Sequence, residues 1–105
     1  MPKNPEYLLD FTPQAREDVR EIVVWYRSEM KGLEDRFLLS LKNSTNFLQR
    51  NPFIYQINFD SIRSLLLQRF PYRVYYFVEA NMVKIIGVVH TKRNEKYIRK
   101  RTSGL

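Results

Sequence analysis

The chain has 105 residues, of which 44% are hydrophobic and 14% aromatic, so it can bury the core of a single domain spanning residues 1–105. It has no cysteine, which excludes disulfides and thiolate chemistry, and no apolar run approaches the roughly 18 residues that a membrane span requires. We therefore expect a soluble, cytoplasmic protein with no membrane partner.

The net charge of +7 lies entirely in the second half of the chain. Residues 1–50 carry eight Lys or Arg and eight Asp or Glu, whereas residues 51–105 carry ten Lys or Arg and three Asp or Glu. One-sided positive charge is typical of proteins that bind a polyanion or an acidic protein. The second half is therefore where we expect the binding surface.

The first half predicts a short strand followed by two helices. EYLLDF, residues 6–11, suits a strand, and Thr12 before Pro13 is a typical helix start. Lys31-Gly32 predicts the end of the first helix, and Pro52 limits the second, which starts at Leu33 or Glu34. Apolar residues follow helical spacing in both. In the first helix they are Ala15, Val19, Ile22, Val23, Tyr26 and Met30, and in the second Phe37, Leu38, Leu41, Thr45 and Leu48.

The second half predicts three strands after an aromatic-rich loop at residues 52–60. The strands are SIRSLLLQRF, YRVYYFVE and MVKIIGVVH, separated by Pro71 and by a tight turn at Ala80-Asn81. The order β-α-α-β-β-β predicts an α+β fold in which an N-terminal helical hairpin packs on one face of a small antiparallel sheet. The other face is then free for a site, and a cationic tail follows residue 90.

Arginines in the predicted strands and cations in the tail are the candidate binding residues. Arg73 lies within an apolar strand, so it requires an ion pair with Glu79 or Asp60, a solvated sheet face, or a functional partner. Arg63 and Arg69 have the same strand parity, which predicts that they face one side. The full candidate binding set is Arg63, Arg69, Lys92, Lys96, Arg99, Lys100 and Arg101.

A possible chemistry is the cleavage of RNA through its own 2′-hydroxyl group. That reaction needs a proton acceptor, a proton donor and cations at the phosphate, but no metal. Because His90 is the only histidine and no carboxylate cluster is visible, we expect no metal site and no cofactor. The candidate catalytic residues are Arg73, Arg93, Tyr97 and His90. The same side chains could instead bind phosphate or an acidic helix without any reaction, and His90 could be structural.

The segment IRSLLLQRFPYRVYYFVEANMVKIIGVVHTKRN, preceded by two predicted helices and an Asn-Pro loop, resembles the RelE/ParE superfamily of bacterial toxins from type II toxin–antitoxin modules. The resemblance covers roughly residues 5–101 and is most specific in FPYRVYYFV and KIIGVVHTKRN. It implies a hetero-oligomer with a cognate antitoxin that is acidic or amphipathic. RelE-type members cut mRNA in the ribosomal A site with arginines, lysines and a C-terminal tyrosine, whereas ParE-type members poison DNA gyrase and lack that set.

The match to the two branches of the superfamily is mixed. Arg73 and Arg93 match arginines of the RNA-cleaving branch, but Tyr97 comes early and QINFDSIR replaces the expected lysine pair. HTKRN is similar to the H-x-x-R ending of the ParE-like branch. The resemblance therefore favours a ParE-like gyrase inhibitor over a RelE-like ribosome-dependent mRNA endonuclease, and leaves open whether the protein is an enzyme. A non-toxic basic module that binds nucleic acid is the third alternative.

Overall fold

A computed structural model of the protein describes residues 6–103. Within them, a five-stranded sheet carries a helical hairpin on one face and a short third helix on the other. The elements are β1 (Leu8–Phe11), α1 (Pro13–Glu29), α2 (Leu33–Arg50), β2 (Ile57–Phe59), β3 (Ile62–Leu66), β4 (Tyr72–Glu79), β5 (Met82–His90) and α3 (Glu95–Thr102). The predicted α+β fold is therefore confirmed.

The helical hairpin begins and turns as its sequence predicts. The Thr12 hydroxyl accepts a hydrogen bond from the Ala15 N–H at 3.2 Å, and proline occupies the first turn of α1. Gly32 has a φ of 94°, which glycine adopts at little cost, and it links α1 to α2. The Glu34 carboxylate accepts hydrogen bonds from the Gly32 N–H and from Arg27 Nε, each at 2.8 Å. One carboxylate thus fixes the turn.

The predicted apolar stripes of α1 and α2 face the sheet, with two exceptions. Met30 follows the last residue of α1 and is 61% exposed, and Leu38 lies at the edge of its stripe and is 39% exposed. The buried hairpin residues pack against β4 and β5. They are Ala15, Ile22, Phe37, Leu41 and Leu48, together with Thr45.

The sheet is mixed, which corrects the prediction of an antiparallel sheet. Its strand order is β1-β5-β4-β3-β2, and β1 pairs parallel to β5 while the other neighbours are antiparallel. The Leu8 N–H donates to the Asn81 carbonyl at 2.7 Å, and the Thr12 N–H donates to the Ile85 carbonyl at 2.9 Å. The partner of an isolated N-terminal strand depends on the path of the hairpin, so local sequence could not reveal it.

Two segments predicted as irregular are ordered. The predicted loop at residues 52–60 contains β2, and the predicted cationic tail contains α3. The Asn94 side chain caps α3 by accepting from the Lys96 N–H at 2.9 Å. Ile98 is its one buried residue, so the apolar pattern of this helix was too short to signal it.

A β-bulge in β5 changes which of its residues point to each face of the sheet. Gly87 lies opposite Tyr75 and Ile85 lies opposite Tyr76, so Ile86 is the extra residue. Side-chain alternation shifts at this point: Ile85 and Val88 face the hairpin, whereas Ile86 and Val89 face α3. The prediction of a free second face is therefore wrong for the part that α3 covers. That part comprises Phe59, Ile62, Tyr75, Ile86 and Val89.

Candidate functional site

The C-terminal helix is anchored by an ion pair between α3 and α1. Arg101 Nη2 donates to Asp18 Oδ1 at 2.8 Å, and Arg101 Nη1 donates to Asp18 Oδ2 and to the Ile86 carbonyl. Asp18 Oδ2 also accepts the Val88 N–H at 2.9 Å. The hydrogen bonds to Asp18 raise the pKa of Arg101 above its ordinary value. The pair thus holds α3 against β5 beyond the end of β1.

The two flanks of α3 contact different parts of the molecule. At about 100° per residue, the buried Ile98 places Tyr97 and Arg101 on one flank and Glu95 and Arg99 on the other. Arg99 Nη2 forms an ion pair with Glu95 Oε1 at 2.6 Å, and the Arg99 guanidinium lies 4.3 Å from the centre of the Phe59 ring. The side of α3 opposite Ile98 carries Lys96 and Lys100. The helix is therefore anchored at both flanks and presents lysines outward.

Tyr97 is held between two arginines on the flank toward Asp18. The guanidinium of Arg93 lies 4.5 Å from the centre of its ring and that of Arg101 lies 5.3 Å away. The Tyr97 hydroxyl accepts a hydrogen bond from Arg101 Nη2 at 3.4 Å, and the residue is 38% exposed. The structure therefore brings Arg93 and Tyr97 together, as the sequence suggested, but through stacking.

Arg73 lies on the face of the sheet that α3 partly covers, in a small polar depression. Its Nη1 donates to Ser64 Oγ at 3.3 Å, and Ser64 Oγ donates to Asn58 Oδ1 at 2.7 Å. Among residues 6–103, no carboxylate lies within ion-pair distance of Arg73, so the suggested pairs with Glu79 and Asp60 are not formed. The depression is lined by Ile54, Tyr55, Gln56, Asn58, Ser64 and Arg73.

Tyr75 separates Arg73 from α3. Burial raises the pKa of this phenol, the nearby Arg73 lowers it and the charge of Glu95 raises it further. The phenol therefore stays protonated near neutral pH. Its ring packs in the same hydrophobic cluster as Ile98 of α3.

His90 lies on the opposite face of the sheet from Arg73. It pairs across the strands with Tyr72, whereas Arg73 pairs with Val89, and adjacent strand residues point to opposite faces. The His90 ring packs edge-on against Tyr72 with centroids 5.3 Å apart, and its Nδ1 accepts the Lys92 N–H at 3.0 Å. Burial raises the pKa of Tyr72 to about 12. These contacts agree with the structural interpretation of His90.

The strand parity that predicts a shared side for Arg63 and Arg69 does not extend to Arg69, because β3 ends at Leu66. Arg63 donates to the Tyr55 and Phe53 carbonyls and lies over the Phe53 ring, so it fixes the loop after α2. Arg69 follows the strand with a φ of 69°. The shared side therefore stays a prediction, whereas its contacts give Arg63 a structural role.

A groove between α2 and the outer edge of β3 was missed by the sequence reasoning. It has a volume of about 860 Å³, and the exposed Leu39, Phe47 and Leu66 lie along it with Arg36 and Arg69. Leu39 and Phe47 are eight residues apart, which places them on one helix face away from the buried stripe. That spacing was the available signal.

The sequence matches the family described as the ParE toxin of the type II toxin–antitoxin system, parDE, over residues 9–95. No curated protein sequence matches the chain. No helix among residues 6–103 is long and apolar enough to cross a membrane.

Solved structures of toxins share the fold. A chain of the chromosomal ParDE system from P. aeruginosa superimposes with a TM-score of 0.72 at 18% identity, covering 83% of this chain and 98% of that chain. The isolated E. coli RelE toxin gives a TM-score of 0.61 at 21% identity, covering 94% and 99%. A chain of the intact E. coli RelBE complex also gives 0.61 at 21% identity, covering 83% and 99%. The family match spans most of the sequence, and the chain therefore belongs to the ParE toxin family of type II toxin–antitoxin systems.

Proposed function

We propose that this toxin arrests growth by binding and inhibiting DNA gyrase, as ParE-type toxins do, and that a cognate antitoxin neutralises it. The observation that carries the proposal is the separation of the candidate catalytic residues. His90 and Arg73 point to opposite faces of the sheet, and Tyr97 lies on the flank of α3 toward Asp18. The family match and the ParDE structure support the same branch.

Acid–base catalysis needs its groups within hydrogen-bond reach of one substrate. The Tyr97 hydroxyl contacts Arg101, whose other hydrogen bonds go to Asp18 and to the Ile86 carbonyl. Arg73 contacts Ser64, and the protonated Tyr75 lies toward α3. This arrangement is better suited to binding a target protein than to cleaving RNA.

Exposed apolar side chains on the helical hairpin support a protein target. Val24 and Trp25 lie on the outer face of α1, and Trp25 is 53% exposed. Trp is rare on a free surface and frequent at the centres of protein interfaces. We assign this face of α1 to gyrase.

The groove between α2 and β3 suits the antitoxin. Its apolar residues match an amphipathic segment, and Arg36 and Arg69 match the acidic residues that such a segment carries. The solved relatives include ParDE and RelBE toxin–antitoxin systems, which supports a hetero-oligomer here.

The test is a supercoiling assay with purified gyrase. The wild-type chain should inhibit supercoiling, and Trp25→Glu should abolish inhibition. Ile57→Glu is the matched control, because Ile57 on β2 is 52% exposed and lies away from α1. Inhibition that is equally sensitive to both substitutions would contradict the assignment of the surface.

The mRNA endonuclease is the second candidate, and Arg73 in its open polar depression favours it. Mapping of mRNA 5′ ends after brief induction separates the two functions. Growth arrest without new ends supports gyrase as the target. New ends inside translated codons that vanish with Arg73→Ala would establish cleavage.

A further inference from the structure

We infer that the outward face of α3 binds the phosphate backbone of duplex DNA. Lys96 and Lys100 form the centre of this face, and Lys92 and Arg93 extend it before the helix begins. The inference rests on the proposed function to the extent that gyrase supplies the DNA. The toxin would then contact both the enzyme and the DNA that the enzyme holds.

The cations of the C-terminal segment divide into two groups. Arg99 and Arg101 are neutralised by Glu95 and Asp18 and serve to anchor the helix. Among residues 6–103, no carboxylate lies within 4.0 Å of Lys92, Arg93, Lys96 or Lys100. Among these uncompensated charges, Lys96 and Lys100 point outward from α3, as binding to a polyanion requires.

The anchoring of α3 prepares this face for binding. Ile98 is fully buried, Arg101 is bonded to Asp18 and Arg99 is stacked on Phe59, so the helix is fixed on three sides. Lys96 and Lys100 lie one helical turn apart and project side by side. Binding therefore orders only their flexible side chains, and little backbone entropy is lost.

The composition of the face favours duplex DNA over a protein or a single strand. Tyr97 is the one exposed large hydrophobic side chain of α3, at 38%, and two arginines lie over its ring, so a protein partner would find little apolar area. Single strands bind by stacking bases on aromatic rings, but Arg93 and Arg101 lie over Tyr97, and Arg99 lies over Phe59. A charged backbone that needs no stacking is the ligand that fits.

The experiment measures binding of the full chain to a short fluorescent DNA duplex by anisotropy, over about 50–200 mM salt. Wild-type binding should weaken steeply with salt. The slope of log K against log salt is negative, and Lys96→Gln with Lys100→Gln should reduce its magnitude by about two. Lys31→Gln with Lys42→Gln removes the same charge from the hairpin and should leave the slope unchanged.

Three results would overturn the inference. They are no binding at the lowest salt, equal losses in the two double variants, and tighter binding of polyglutamate or of a single-stranded or RNA oligonucleotide than of the DNA duplex. The supercoiling assay separates this failure from that of the proposed function. Gyrase inhibition without duplex binding refutes only the DNA contact, whereas duplex binding without gyrase inhibition refutes only the proposed target.

Discussion

Asp18 and Arg101 lie 83 positions apart in the sequence and join the first helix to the last. Both side chains are only 13% exposed, and Asp18 also accepts the Val88 N–H at the uncovered edge of β5. A backbone donor there would otherwise lack a strand partner, because β1 has ended at Phe11. The same carboxylate thus completes the sheet and positions α3.

Replacing Asp18 by Asn should destabilise the protein by about 3 kcal/mol, because it leaves the largely buried Arg101 without its counter-ion. Urea unfolding monitored by circular dichroism measures the change. Removing the partner as well, with Arg101→Gln, should cost much less than the sum of the two single substitutions. Glu95→Gln breaks an exposed pair and should cost under about 0.5 kcal/mol. Equal costs for Asp18→Asn and Glu95→Gln would show that the buried pair has no special weight.

Gly87→Ala should destabilise the contact between β5 and α3. An added Cβ would lie 2.5 Å from Ile98 Cδ1 and 3.1 Å from Arg101 Nη1, so the buried Ile98 must move. Overpacking of this kind costs about 1–3 kcal/mol. Ile98→Val removes the clashing methyl group, so it should restore stability in the Gly87→Ala chain while costing about 1 kcal/mol in the wild type. Additive losses in the double variant would exclude this clash as the cause.

Glu34→Gln should change the pH dependence of stability. The hydrogen bond from Arg27 lowers the pKa of Glu34 in the folded protein, so the unfolded chain binds more protons between the two pKa values. The stabilisation is complete above the unfolded pKa and is lost as pH falls through the folded one. The urea midpoints of wild type and Glu34→Gln should therefore differ most near pH 7 and converge in acid. Glu17→Gln, which breaks an exposed pair with Arg20, controls for loss of a surface charge. A difference that does not change with pH would contradict the linkage.

Periodicity and turn residues were sufficient to predict the hairpin and the β4–β5 pair, because these elements follow local rules. Thr12, Pro13 and Gly32 take the positions that the sequence implied. What local rules could not supply is the face on which a side chain lies after a bulge or beyond a strand end. Strand alternation alone cannot place Arg69, which lies beyond the end of β3, or His90, which follows the bulge in β5.

For the cationic surface too, the sequence predicts the region but not the role of each residue. The charge imbalance predicts that the second half carries the cationic surface, but it cannot separate anchoring arginines from lysines without a carboxylate partner. Arg101 belongs to the predicted binding set, yet it pairs with Asp18, which lies far away in the neutral half. Such pairing depends on tertiary contacts between distant segments and requires the structure.

Tyr97→Phe should leave growth inhibition intact. The substitution removes only the 3.4 Å hydrogen bond from Arg101 and keeps the ring beneath Arg93, so both stability and the surface of α3 should be preserved. Growth after induction, compared with wild type and with Trp25→Glu, measures the effect, and equal protein levels are checked by immunoblot. Because the proposed action is binding, Trp25→Glu should relieve the arrest and Tyr97→Phe should not. If Tyr97→Phe restores growth while the purified variant keeps the wild-type unfolding midpoint, the phenol takes part in chemistry, and the endonuclease becomes the better account.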